Sequence, residues 1–233
     1  WRDLLDWSNA MVGMYMAGRT PAMETRAVAA TESFVAFMRG YVDQRRSDPR
    51  DDLITALIAA EEAGDRLSTD ELITTCILLL NAGHEATVHS LGNAVKLLLE
   101  TRTPPAALAD ALAPDRVAAT VEETLRFDPP LHLFTRHVYE DVEVMGTTLP
   151  KGSEVGLLLA AANRDPAAYD APGRFNPSRP DKPNQSFGAG LHFCVGAPLA
   201  RLELQTALPI LFDRLPGLRL AEGPEYADIY HFH

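Results

Sequence analysis

Apolar and polar positions along the chain predict a mainly helical protein. Apolar residues recur at helical spacing in several segments, which proline-rich or charged stretches separate from one another. The segment 68–100 contains no proline and is apolar on most sides, so we expect a long, central and buried helix that begins at a cap at Ser68. The other predicted helices cover 1–18, 21–46, 52–63, a short segment after 105, 114–127 and 198–215.

Residues 135–162 change in character, because valines alternate there with turn residues. The predicted strands lie near Val138, near Val142 and Val144, and over 155–159, with turns at Asp141 and at Gly146-Thr147. Residues 163–190 are rich in Pro, Gly, Asn and Asp and show no periodicity, which is typical of a long functional loop. The pattern predicts a mainly α (α+β) protein: a helical bundle around the long helix, with small sheets and a long irregular segment.

Composition narrows the possible partners and compartments. The 233 residues, of which 46% are hydrophobic and 23% charged, suit one domain over residues 1–233. The net charge of −11 argues against nucleic acid as a partner. Two distant cysteines do not make a disulfide framework, and no apolar run is long enough to cross a membrane, so we expect a cytoplasmic protein. Because the chain opens on Trp1 and stops on "YHFH", we expect a fragment truncated at both ends.

A polar patch, "NAGHEATVH" over 81–89, interrupts the long apolar helix. Gly83 inside a helix costs about 1 kcal/mol relative to Ala, and Glu85 needs a partner or water if it is buried. Ala82 and Ala86 lie four residues apart and are both small, which leaves room on one face for a flat or diatomic ligand. The alternative is a tolerated kink on a partly exposed helix.

Glu123 and Arg126 stand three residues apart near the end of the helix over 114–127. Such a pair is common, and on a helix surface it contributes only about 0.2–0.5 kcal/mol. Arg179, in the irregular segment, offers a second guanidinium that suits a buried carboxylate. We expect Glu123 to lie between the two arginines and to clamp the long loop against the core.

The two cysteines differ in their surroundings. Cys76 stands among apolar residues and is interpreted as a core residue. Cys194 lies in a glycine-rich loop directly before a predicted helix, whose positive end favours a thiolate. Core filler, redox thiol, nucleophile and metal ligand are all possible roles for a cysteine. The loop, with its free backbone N–H groups, favours a metal ligand.

The loop "FGAGLHFCVG" over 187–196 resembles the heme-binding signature FGxGxHxCxG of the cytochrome P450 family. All six specified positions match: Phe187, Gly188, Gly190, His192, Cys194 and Gly196. The polar patch of the long helix, the Glu123–Arg126 pair and Arg179 follow one another in the order that the family shows. The resemblance is closest to soluble bacterial members and implies a C-terminal portion that lacks the family's N-terminal part.

The resemblance implies a heme-dependent monooxygenase that inserts one oxygen atom from O2 into an apolar organic substrate. Cys194 would be the proximal ligand of the iron of heme b, while His192 and Arg136 would bind the heme propionates. Electrons from NAD(P)H would arrive through a ferredoxin- or flavodoxin-type partner, and the full-length protein would be a monomer. Residues over the distal face of the heme would be Ala82, Gly83 and Ala86. Residues lining the substrate pocket would be Leu131, Leu133, Phe134 and Ile229, although core packing is an equal alternative for Leu133 and Phe134.

The proton-delivery positions depart from the family pattern. Most members carry Thr directly after the acid, whereas this chain has Ala86, and its hydroxyl comes one residue later at Thr87. One helical step turns by about 100°, so Thr87 does not simply replace the missing group. We expect protons to pass through Glu85 and water, or a substrate hydroxyl to fill the gap. A peroxide-using heme enzyme and a non-catalytic heme-binding protein remain the alternatives.

Overall fold

The computed structural model describes residues 2–16, 18–62, 67–101, 105–180 and 183–223. Most of these residues lie in helices. The helices are α1 (Arg2–Val12), α2 (Pro21–Ser47), α3 (Leu53–Glu62), α4 (Thr69–Thr101), α5 (Pro105–Ala111), α6 (Val117–Phe127), α7 (Leu159–Ala162) and α8 (Ala197–Arg214). The strands are β1 (Leu133–His137), β2 (Val142–Val144), β3 (Thr147–Leu149) and β4 (Glu154–Leu158). The predicted mainly helical class with small sheets is confirmed. Among the described residues, no helix combines the length and the apolar character that crossing a membrane requires.

Local signals determine where the long helices begin. Ser68 and Glu71 form a reciprocal capping box at the start of α4: the Ser68 amide donates to Glu71 Oε2 at 2.7 Å, and the Glu71 amide donates to Ser68 Oγ at 3.3 Å. The predicted cap is therefore confirmed. Thr20 caps α2 by accepting a hydrogen bond from the Met23 amide at 3.3 Å, and Pro21 occupies the first helical position.

The chain divides into two compact units, residues 1–85 and 86–233. In the first unit, α2, α3 and the beginning of α4 share one core, formed by Phe34, Met38, Val42, Ile58, Leu72, Ile73 and Ile77. Arg45 on α2 donates from Nε to Asp52 Oδ2 at 2.7 Å and so ties α2 to the segment before α3. The expectation of a single domain stays a prediction.

The second unit packs α5, α6 and α8 around the end of α4. Its buried core consists of Ala94, Leu98, Ala111, Leu112, Val117, Val121, Leu125, Leu204 and Leu208. Phe187, the first residue of the cysteine loop, packs against this core. The loop is therefore anchored to the best-packed part of the second unit.

Two antiparallel strand pairs form the small sheets, and the strands predicted at Val142 and Val144 and over 155–159 correspond to β2 and to most of β4. β1 pairs with β4, and β2 pairs with β3 through a two-residue turn at Met145 and Gly146, whose φ angles are 49° and 79°. The prediction was wrong at Val138, which follows β1 instead of lying in it, and at Thr147, which begins β3. The polar residues of β1 carry little alternation, so its strand conformation depends on pairing with β4.

The long helix α4 covers the predicted segment, but the expectation of a buried helix holds for only part of its surface. Leu78 is 59% exposed and Val88 is 55% exposed. The helix buries only the side that packs within each unit, because apolar composition does not by itself supply a neighbour for every face. The predicted long loop is confirmed, since residues 163–180 and 183–189 contain neither helix nor strand.

Candidate functional site

Two glycines shape the loop over 187–196. Gly188 and Gly190 adopt φ angles of 70° and 67°, in the left-handed region that glycine enters without strain. A short 3₁₀ turn spans Gly190–His192, and the Cys194 amide then donates to the Phe187 carbonyl oxygen at 3.0 Å. This bond closes the loop and fixes the backbone on which the sulfur is carried.

Cys194 presents its thiol at the surface, directly before α8. The residue is exposed, and Gly196 forms the N-terminal cap position of a helix that begins at Ala197. Gly196 lies beside the sulfur: a Cβ atom added there would be in ordinary van der Waals contact with Cys194 Sγ, at 3.8 Å. Because α8 begins directly after the loop, the positive end of its dipole lies beside the residues that carry the sulfur.

Apolar side chains around Cys194 are unusually exposed. Leu191 is 96% exposed, Phe193 50%, Val195 83% and Leu199 60%. Exposed apolar side chains in this number near one another in the chain are typical of a binding site. An anionic sulfur ligand surrounded by apolar side chains fits a flat apolar macrocycle with a central metal ion, which is the chemistry of heme. The donor set and its surroundings therefore fit this cofactor.

A buried asparagine, which the sequence analysis did not identify, binds the residues that directly precede the cysteine loop. Asn163 is fully buried, its Oδ1 accepts from the Gln185 amide at 2.6 Å, and its Nδ2 donates to Ser186 Oγ at 2.9 Å. Ser186 in turn donates to the Leu125 carbonyl oxygen on α6 at 2.8 Å. The signal available in the sequence was an amide side chain directly after the apolar run of α7, where burial requires partners.

Glu122 and Arg201 form a second support, between α6 and α8. Arg201 donates to both carboxylate oxygens of Glu122, and its Nη2 lies 3.1 Å from Oε2. The guanidinium carbon lies 4.6 Å from the centre of the Phe187 ring. Asn184 also donates from Nδ2 to Glu122 Oε2, at 3.2 Å. The hydrogen bond to Glu122 is the main reason why the pKa of Arg201 is raised.

The structure brings together Glu123, Arg126 and Arg179. Arg126 donates from Nε to Glu123 Oε2 at 2.7 Å and from Nη2 to Oε1 at 2.8 Å, in a bidentate pair. Arg179 donates from Nε to Glu123 Oε2 at 3.3 Å. The side chains of Glu123 and Arg126 are only 4% and 3% exposed. The pair is therefore a buried one rather than an ordinary surface pair.

These three side chains hold the long loop by its backbone. Arg126 Nη1 donates to the carbonyl oxygens of Asn163 at 2.8 Å and Pro172 at 3.0 Å. Glu123 Oε1 accepts from the Asn176 amide at 2.8 Å. A loop without secondary structure thus satisfies its backbone polar groups with buried charged side chains.

The polar patch of α4 lies within an unbroken helix. Ala82 and Gly83 are exposed, and His84 Nδ1 lies 3.5 Å from Glu85 Oε1. Ala86 accepts a hydrogen bond at its carbonyl oxygen from Ser90 Oγ at 2.7 Å.

The remaining predicted residues are placed as follows. Thr87, Leu131 and Leu133 are partly buried, and Phe134 is 38% exposed, which argues against simple core packing for that ring. His192 and Arg136 are exposed, and Arg136 Nη1 donates to the Thr135 carbonyl oxygen at 2.8 Å. Ile229 lies outside the described residues.

Known proteins are similar to this chain over most of its length. A model of the family "Cytochrome P450" matches residues 116–215. Cytochrome P450 107B1 of Saccharopolyspora erythraea is 41% identical over 224 residues, which are 96% of this chain and 53% of that protein. The 6-deoxyerythronolide B hydroxylase of the same organism is 43% identical over 199 residues, which are 84% of this chain and 48% of the hydroxylase.

A solved structure shows the same fold. The crystal structure of P450BioI, in complex with an acyl carrier protein ligated to hexadec-9Z-enoic acid, superposes with a TM-score of 0.91 at 35% identity. The match covers 99% of this chain and 59% of that one. The chain thus spans about half the length of the curated relatives that it matches. On its cysteine loop, its fold and these relatives, the chain belongs to the cytochrome P450 family, as a member of partial length.

Proposed function

We propose that this chain is the part of a heme-dependent monooxygenase that ligates heme b through Cys194. The observation that carries the proposal is the exposed sulfur of Cys194, on a loop closed by backbone hydrogen bonding and surrounded by exposed apolar side chains. When bound, the heme would supply O2 activation and insertion of one oxygen atom into an apolar organic substrate. The protein residues would hold the cofactor, exclude water and deliver protons.

Cys194 would act as a thiolate, and the loop supports that state. The positive end of α8 favours negative charge on a sulfur at this position. His192 and Arg136 would bind the two propionates of the heme, and a guanidinium suits a carboxylate through charge-assisted hydrogen bonds. Both side chains are exposed and so are accessible to such a ligand.

Proton delivery would involve Glu85, with Ala82 and Gly83 leaving space on the helix surface. The side chain of Glu85 lies close to that of His84, with 3.5 Å between Oε1 and Nδ1. Ala86 offers no hydroxyl, and Thr87 is turned by about 100° from it. We therefore propose that a water or a hydroxyl group of the substrate takes the place of the missing threonine hydroxyl.

The substrate would accordingly be an apolar molecule that carries at least one hydroxyl group near the oxidised carbon. Two relatives with similar sequences are named as hydroxylases, 6-deoxyerythronolide B hydroxylase and erythromycin C-12 hydroxylase. Leu131, Leu133 and Phe134 would contact it. An Ala86→Thr variant should raise product formed per electron consumed for substrates without that hydroxyl. An unchanged ratio would contradict the role given to Ala86.

Electrons would come from NAD(P)H through a ferredoxin- or flavodoxin-type partner. Consumption of NAD(P)H and O2 that depends on substrate and yields stoichiometric product would support the proposed monooxygenase activity. Turnover with peroxide alone would indicate a peroxide-using enzyme instead, and heme binding without any turnover would indicate a non-catalytic protein.

The decisive experiment replaces the sulfur ligand. Cys194→Ser should abolish the red-shifted Soret band of the reduced carbon monoxide complex, which is characteristic of thiolate ligation. Cys76→Ser is the matched control, because the half-buried Cys76 packs against the core of the first unit, and its replacement should leave the band unchanged. A Cys194→Ser protein with the spectrum and heme content of the wild type would refute the proposal.

A further inference from the structure

The pair formed by Glu122 and Arg201 has no role in the function proposed so far. Glu122 precedes the buried Glu123 on α6, and Arg201 lies one turn into α8, the helix that starts behind Cys194. We propose that Arg201, held by Glu122, is a positioning residue for Cys194, and that the pair sets the electric field at the sulfur. The first claim, that Arg201 positions Cys194, is the positioning half of the proposal and depends on geometry alone. The second claim, that the pair sets the electric field at the sulfur, is the field half and rests on the proposed heme ligation.

The guanidinium of Arg201 is restrained on both sides. Two donors of the same group meet the two oxygens of Glu122, and the plane of the group lies against Phe187 at 4.6 Å from the ring centre. Asn184, three residues before Phe187, donates to the same carboxylate at 3.2 Å. A bidentate ion pair that also stacks on an aromatic ring is more rigid than a lone surface charge.

Phe187 connects the restrained guanidinium of Arg201 to Cys194. Its ring is held by Arg201 and packs on the core of the second unit, while its carbonyl oxygen accepts the Cys194 amide at 3.0 Å. Removing Arg201 would free the ring on one face and weaken the hydrogen bond that closes the loop. The position of the sulfur therefore depends on a contact that starts on α6.

The two charges of the pair act on the sulfur with opposite sign. Arg201 stands seven residues after Cys194, on the helix that begins at Ala197, and Glu122 is its ion-pair partner. A positive charge near the sulfur favours negative charge on it, and a negative charge opposes it. A site with more positive surroundings takes up an electron more readily. Loss of either charge should thus change the reduction potential of the bound heme in opposite directions.

The test measures the reduction potential of the heme-loaded protein by spectroelectrochemistry. Glu122→Gln should raise the potential, Arg201→Gln should lower it, and Arg201→Lys should return it towards the wild type because it keeps the charge. Arg214→Gln is the control: it removes the same charge from the exposed last residue of α8 and should leave the potential unchanged. Shifts of the same sign in the two variants of the pair would overturn the field half of the proposal. So would an Arg201→Gln shift no larger than that of the control.

A second measurement does not require heme. Hydrogen exchange at the Cys194 amide of the heme-free protein should be faster in Arg201→Gln than in the wild type and in Arg214→Gln. Equal exchange rates would overturn the positioning half. If Arg201→Gln does not fold, the other two variants test the field half. An upward shift of the potential in Glu122→Gln together with a potential near the wild type in Arg201→Lys would support it, and any other result would overturn it. A wild-type protein that binds no heme would refute the proposed function and leave the exchange test of positioning intact.

Discussion

Replacing Asn163 by alanine tests whether the cysteine loop depends on buried hydrogen bonds. The substitution removes the acceptor of the Gln185 amide, at 2.6 Å, and the donor to Ser186 Oγ, at 2.9 Å. A buried donor left without a partner costs about 1–3 kcal/mol, and the lower half of that range applies because Gln185 is only partly buried. The second hydrogen bond adds about 1 kcal/mol. We therefore expect a loss of roughly 2–3 kcal/mol in the free energy of unfolding.

Urea unfolding followed by circular dichroism measures this loss. With a denaturant slope of about 3 kcal/mol per M, the unfolding midpoint should fall by roughly 1 M urea. Hydrogen exchange at the Gln185 amide should accelerate in parallel, because that amide loses its acceptor. Asn9→Ala, on the exposed face of α1, is the matched control and should change stability by less than about 0.5 kcal/mol. If Asn163→Ala behaved like this control and Gln185 stayed protected, the assigned network would be refuted.

Three further predictions concern charge and thiol chemistry. Glu123→Gln should lower stability by about 3–5 kcal/mol because it leaves buried arginine unpaired, whereas Asp70→Asn, in an exposed pair, should cost less than about 1 kcal/mol. Equal losses in urea unfolding would contradict this. Hydrogen bonds, first of all from the Thr55 amide, lower the pKa of Asp52 from its usual 3.8 to about 2. The carboxylate thus stabilises the fold above pH 3.8 and loses that effect as the pH falls towards 2, so Asp52→Asn should show a shallower decline in acid titrations of stability. Burial raises the pKa of the Cys76 thiol, so a thiol reagent should label it more slowly than the exposed cysteine in heme-free protein. Faster labelling of Cys76 would contradict its partial burial against the core of the first unit.

Local patterns predicted most elements because their signals are local. The cap at Ser68, the proline at the start of α2 and the glycines of the cysteine loop each restrict the backbone within a few residues. The strands were located less well. Residues of β1 such as Arg136 and His137 lack alternation, and only their pairing with Val155 and Glu154 makes them a strand.

The parts of the site that no sequence pattern revealed are contacts between residues that lie far apart in the chain. Asn163 meets Gln185, and Glu122 meets Arg201, only because the packed core of the second unit brings α6, the long loop and α8 together. No spacing rule marks such pairs, since a carboxylate and a guanidinium far apart in the chain are each compatible with a solvated surface.

The sequence by itself determined the helices, the glycine-dependent turn and the residue types of the cysteine loop, because backbone conformation and ligand chemistry follow from neighbouring residues. Only the tertiary structure decided which side chains support that loop, and that α4 leaves Leu78 and Val88 exposed. The physical reason is that burial and hydrogen-bond partners are properties of packed surfaces, which form between segments that the chain order does not place side by side.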